Sequence, residues 1–81
     1  MDERDEVHFF VNLRKVTALL HSKSFEVASN LCEQIGERFQ SLANESSKFW
    51  CLRGGGFLGC RRFEEALFCC NKSVDIDEVR E

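Results

Sequence analysis

Apolar residues return along this chain at steps of three and four, the pattern of helices with one buried face. Val7, Phe10, Val11, Leu13, Val16, Ala18, Leu19 and Leu20 mark a first helix ending near His21. Asp2 or Asp5 can cap its start, where acidic side chains also suit the positive end of the helix dipole. His21-Ser22-Lys23-Ser24 is a polar turn. Phe25, Ala28, Leu31, Cys32, Ile35 and Phe39 then form a single stripe, and Glu26, Asn30, Glu33 and Glu37 fall off it toward water. Gln40 to Ser46 reads as a connector, with Leu42 its large apolar residue. Asn44, Ser46 or Ser47 can cap a third helix through Phe57 or Leu58, and Gly59 closes it, as glycine often does past a helix C-terminus. A fourth helix runs from Arg61 or Arg62 to about Val74. Its apolar stripe is Phe63, Ala66, Leu67, Cys70 and Val74.

The two halves repeat each other. Phe25-Glu26-Val27-Ala28 aligns with Phe63-Glu64-Glu65-Ala66, and Cys32 with Cys70, at an offset of 38 residues (63 less 25). Under that offset Leu19 matches Phe57, Val16 matches Gly54, and Asn12 takes the place of Trp50. The pattern predicts an all-α chain of two antiparallel helix–turn–helix hairpins, four helices in one domain over residues 1–81.

The second hairpin carries a recognisable motif. A 34-residue helical repeat reads W-x2-L-G-x2-Y…A-x3-F…P. Trp50, Gly54 and Ala66 match it in kind, Phe57 takes the tyrosine place and Cys70 the large apolar place. Arg53 stands where leucine is expected and Glu78 where proline is. Residues 47–78 therefore resemble one tetratricopeptide (TPR) repeat, and residues 7–40, aligned over 9–40, a degenerate one. The resemblance implies a fragment of a right-handed α-solenoid. Gly54 and Ala66 would let two helix backbones cross closely, with Trp50, Phe57 and Phe63 filling the volume around them. Three successive glycines in a helix cost ~1 kcal/mol each relative to alanine, and close helix contact is the expected compensation.

In TPR proteins the first helix of each repeat lines a concave face that binds peptides or partner helices. The resemblance places Phe10, Leu13, Arg14, Thr17 and His21 on that face, followed by Lys48, Cys51, Leu52, Gly55 and Leu58. Some members clamp a carboxylate with lysine and asparagine. Lys48 alone suits that role here, so the clamp subclass is set aside. The implied function is a protein–protein interaction module, a scaffold or adaptor without catalysis or cofactor. It would present an apolar groove to a peptide, a partner helix or another copy of itself.

Composition narrows the remaining classes. The net charge is −3 with both signs interspersed, unlike the basic surface of a nucleic-acid binder. Arg53, Arg61, Arg62 and Lys72 lie among acids and read as solvated charge. No apolar run approaches the ~20 residues of a membrane span. The acidic N-terminus resembles neither a signal nor a transit peptide, which predicts a cytoplasmic or nuclear location. Five cysteines, at positions 32, 51, 60, 69 and 70, with no secretory signal read as reduced thiols. Cys69 and Cys70 are adjacent on one helix, so one of them must lie near the surface.

Two other chemistries are weighed. Gly54-x-Gly56-x-x-Gly59 fits a dinucleotide-binding glycine pattern, with Asp75 near the offset of a ribose-binding acid. That alternative, a nucleotide-binding enzyme fragment, needs a strand before Gly54 and another at Val74–Asp77. The cysteines with His8 and His21 supply zinc-ligand types, but without a C-x2-C or H-x3-H spacing. Neither a metal site nor a catalytic site is assigned.

Two repeats are fewer than the three that stacked helical units usually require. The flank of the last helix is expected to stay open, with Phe68 exposed. Self-association into a dimer, or continuation into further repeats, is the expected remedy.

Overall fold

The computed structural model describes the backbone of residues 3–80 and the side chains of residues 4–76. Within them the chain is helical throughout: α1 (Glu3–His21), α2 (Phe25–Arg38), α3 (Gln40–Glu45), α4 (Ser47–Gly59) and α5 (Phe63–Arg80). Among the described residues there is no strand. The all-α expectation holds, with α1 packed on α2, and α4 on both α2 and α5.

The boundaries differ from expectation in physical detail. The connector is itself a short helix, α3, which packs on α2 and buries Ala43. Of the three proposed caps, Ser46 serves α4: its hydroxyl accepts a hydrogen bond from the Phe49 N–H at 3.1 Å. Asp2 lies outside the described residues, and Asp5 lies inside α1 rather than ahead of it. The last helix does not stop near Val74 but continues to Arg80. Gly59 is the final residue of α4, not a left-handed residue beyond it. No glycine has positive φ, and the left-handed positions are Lys23 and Arg61, both at φ 63°.

Those two residues are 38 apart, and the turns around them are copies. Ser24 N–H donates to the Leu19 carbonyl, and Arg62 N–H donates to the Phe57 carbonyl. Lys23 N–H donates to Leu20, and Arg61 N–H to Leu58. The six-residue closure with a left-handed residue at its corner is a Schellman-type helix end, satisfying carbonyls that would otherwise be orphaned. One backbone solution thus joins both hairpins, at the offset read from the sequence.

The main core gathers Phe9, Leu13 and Val16 of α1, Ala28, Cys32 and Ile35 of α2, Phe39 between α2 and α3, Ala43 of α3, and Phe49 of α4. Phe9 rather than Phe10 enters it, edge-on to Phe39 at 5.9 Å between ring centres. The rows of α2 fall as expected, with Glu26, Asn30, Glu33 and Glu37 exposed. A smaller cluster joins Phe57, Ala66 and Cys69, and Trp50 packs against both clusters.

Glycine explains how α4 fits. A Cβ on Gly54 would meet Cys70 Sγ at 3.3 Å and the Ala66 carbonyl at 3.4 Å, so α4 and α5 approach almost backbone to backbone. On its other sides α4 reaches α2, with Gly56 against the Ser29 backbone, and α1, with Gly55 against Leu20. Ser73, buried in α5, donates a hydrogen bond to the Ser47 carbonyl at 3.0 Å. Among the described residues of α5 the buried ones, Ala66, Cys69 and Ser73, are all small, as that close approach demands.

Candidate functional site

Of the ten residues that the resemblance assigns to a partner face, some are accessible and others are not. Leu13 does not belong to it: this side chain is 1% exposed and forms part of the core. Phe10, Arg14, His21, Lys48, Cys51 and Leu58 are exposed, and Thr17, Leu52 and Gly55 half-buried. Thr17 turns its hydroxyl back to donate to the Leu13 carbonyl at 3.1 Å. Phe10 and Lys48 come together across one depression between α1 and the start of α4, with Glu6, Leu42 and Glu45 on its rim. Gly55 brings α4 against α1 at Leu20. The depression offers an aromatic ring and charges of both signs.

The structural motif residues divide as well. Gly54, Phe57 and Ala66 are buried, as expected. Phe63 is not: it is 61% exposed and takes no part in either cluster. Cys70 is exposed too, and its neighbour Cys69 takes the buried place. The line α5 turns toward α4 is therefore Ala66, Cys69 and Ser73. Phe63, Leu67, Cys70 and Val74 lie along a line displaced by one residue and are exposed, although the Cys70 sulfur still rests against Gly54. Small side chains won the inward positions because Gly54 leaves no depth between the helices.

Trp50 is half-buried, and its aromatic partner on α5 is Phe68, not Phe63, edge-on at 6.1 Å. A second groove runs beside it, lined by Trp50, Arg53, Phe57, Glu64, Glu65 and Phe68. Arg53, read as solvated charge, is half-buried instead. Its guanidinium stands 5.6 Å from the Trp50 ring centre and 5.4 Å from that of Phe57. Arginine can occupy a leucine position of the motif because its stem covers apolar surface while its head stacks on the rings. Arg62 adds a second cation over Phe57 and pairs with Glu65 at 3.0 Å. Sequence periodicity could not foresee these stacks, since Arg counts as polar in any hydropathy pattern.

The sulfur chemistry is quiet. Burial pushes the Cys32 thiol up from 9.0 to about 11, only partly opposed by the Arg53 charge. Burial raises Cys69 as well. Both stay protonated near neutrality, the form that is neither nucleophile nor metal ligand. Among the described residues no three acids, histidines or cysteines come together as a metal would require. The glycines at 54, 56 and 59 lie inside α4 and Asp75 lies in α5, so the strand-to-glycine-loop geometry of a dinucleotide site is absent among the described residues. No helix among them is long and apolar enough to cross a membrane.

No family model, curated protein or solved structure matches the chain.

Proposed function

We propose that this chain is a TPR-like protein–protein interaction module, two stacked helical hairpins that hold a peptide or a partner helix. The observation that carries the reading is the duplicated turn. Lys23 and Arg61 share a left-handed φ at an offset of 38 residues, and each hydrogen bond that closes the first turn has its counterpart in the second. The first helix of the second hairpin packs on both helices of the first, as successive units of a solenoid would. Such an architecture works passively: rigid helices present side chains, and a few buried anchors supply most of the binding energy.

The accessible part of the α1–α4 face, from Phe10, Arg14 and His21 to Lys48 and Cys51, is the surface assigned to the partner. The Phe10 ring, with Lys48, Glu6 and Glu45 around the same depression and the exposed Arg14 one turn along α1, suits an amphipathic helix with charges of both signs on its flank. The test is selection of displayed helical peptides against the full chain, followed by binding to variants. Phe10→Ala and Arg14→Glu should each weaken the selected peptides about tenfold or more, while Glu33→Lys on the far side of α2 should not. Peptides insensitive to both changes on α1 would remove this face from consideration. Purified chain that turns over a nucleotide would favour the enzymatic alternative instead.

A further inference from the structure

The repeat itself shows what the outward line of α5 is shaped to receive. On α2, Phe25, Ser29 and Gly36 receive Gly59, Gly56 and Phe49 of α4 respectively, and Cys32 lies in the core that Phe49 enters. Moving 38 residues along from Phe25, Ser29, Cys32 and Gly36 gives Phe63, Leu67, Cys70 and Val74. Those four residues are the exposed stripe of α5, and the three larger ones are between 54% and 62% exposed. The surface equivalent to a helix-docking face is thus open, and it is more apolar than its counterpart, with leucine for serine and valine for glycine.

The occupant cannot be α1 of another copy, seated head to tail as α4 sits on α2. The residues of α1 equivalent to Gly56 and Gly59 are Ala18 and His21. Even a Cβ at Gly59 would fall within the Phe25 ring, so histidine has no room in that arrangement. The bulkier stripe on α5 calls for a helix standing further out and meeting it side chain to side chain. Its spacing, four then three then four, is that of a heptad seam.

We propose that α5 pairs antiparallel with α5 of a second copy about a two-fold axis between Phe68 and Cys69. The order four-three-four reads the same from either end. The axis therefore sets Phe63 opposite Val74 of the second copy and Leu67 opposite its Cys70. Each layer then joins a large residue to a smaller one, whereas parallel pairing would stack two phenylalanines in one layer and two valines in another. Along the solvent edge of the stripe, Glu64 comes opposite Asn71 of the second copy, so no like charges meet. The contact is isologous and closes on itself, giving a dimer rather than a filament. It uses a different face from the α1–α4 surface and stands independently of the peptide-binding reading.

Sedimentation velocity on the full reduced chain, from about 1 µM to about 1 mM, tests it. The 9.4 kDa monomer should give way to a species of twice that mass as concentration rises. Leu67→Glu should remain monomeric with its helical circular dichroism unchanged, because Leu67 is exposed in the monomer. Asn71→Lys, facing Glu64 twice across the axis, should tighten the dimer about threefold or more, and Asn71→Glu should loosen it comparably. A monomer throughout, or a dimer that survives Leu67→Glu, overturns the proposal. A dimer lost with Leu67→Glu but indifferent to both Asn71 changes overturns the antiparallel pairing. Peptide binding at Phe10 by a persistent monomer would leave the preceding reading intact.

Discussion

Gly59 lies against the face of the Phe25 ring so closely that a Cβ at this position would fall within the ring. The glycine that closes α4 is required by the neighbouring hairpin, not by its own backbone, since its φ is not positive. Gly59→Ala should therefore destabilise the fold by about 1–3 kcal/mol through overpacking, despite the better helix propensity of alanine. Gly55 provides the contrast. Its added Cβ would meet only the end of Leu20 at 3.4 Å, a side chain able to move. Gly55→Ala should be neutral or stabilise by up to about 1 kcal/mol. Urea unfolding of the two variants side by side checks both signs.

Lys23 and Arg61 hold left-handed backbone, which costs non-glycine residues roughly 1–2 kcal/mol. Lys23→Gly and Arg61→Gly should each stabilise the chain by about 0.5–1 kcal/mol, the gain being reduced by the greater freedom of glycine in the unfolded chain. Both residues are exposed, so little packing is lost. The sharper expectation is that the two shifts agree, because the turns are copies. Thermal midpoints that move in opposite directions would contradict the shared geometry.

The buried Cys32 thiol makes stability depend on alkaline pH. Its ionisation is raised from 9.0 to about 11 in the folded chain, so between those values the unfolded chain loses a proton that the folded chain keeps. Stability is then fully present below pH 9 and is lost as pH rises through 11, by roughly 2–3 kcal/mol in all. Cys32→Ala should flatten that dependence while lowering stability at neutral pH by opening a small void. Thiol labelling of the native chain at micromolar concentration should reach Cys51 and Cys70 and leave Cys32 and Cys69 unmodified.

Ala66 is 4% exposed, and its carbonyl faces Gly54 across the closest part of the α4–α5 contact. Ala66→Leu should destabilise the chain by about 1–3 kcal/mol, because neither backbone can retreat without opening the Phe57–Cys69 cluster. Leu67→Ala, one residue along on the exposed line, should change the monomer by less than about 0.5 kcal/mol. Denaturation midpoints that rank these two variants the other way would mean that the inward face of α5 has been misassigned.

That face is also where sequence reading went astray, and the reason is physical. α2 has one apolar row, Ala28-Leu31-Cys32-Ile35, and its polar residues point outward, so its register was legible. α5 carries two apolar rows, and the larger row, through Phe63, Leu67, Cys70 and Val74, looked like the core. Depth decides between them, and depth is set by Gly54 on another helix. In α1 the neighbours Phe9 and Phe10 posed the same choice at one position, and Leu13 was placed on the partner face although it belongs to the interior. The turns were located correctly, but their left-handed residues were not, because lysine and arginine give no hint of positive φ. α3 was hidden in a polar stretch whose Ala43 is too small to signal burial. Beside Trp50, the stacking of Arg53 on two rings leaves no mark in a hydropathy pattern, which counts arginine as polar.

Ser73 occupies the place in the second hairpin that Ile35 occupies in the first, and its hydroxyl reaches Ser47 across the α4–α5 contact. A seam of small side chains against glycine has few knobs to stop one helix sliding along the other. A slip of one helical turn, about 5.4 Å, would keep similar small residues in contact. It would also strand the buried hydroxyl without an acceptor, which costs about 1–3 kcal/mol. The pair therefore acts as a detent, favouring a single axial setting at the small-residue end of the seam, away from the Phe57 and Trp50 rings. Where the first hairpin is aligned by the shape of its hydrocarbon, the second adds a polar contact to its smaller cluster.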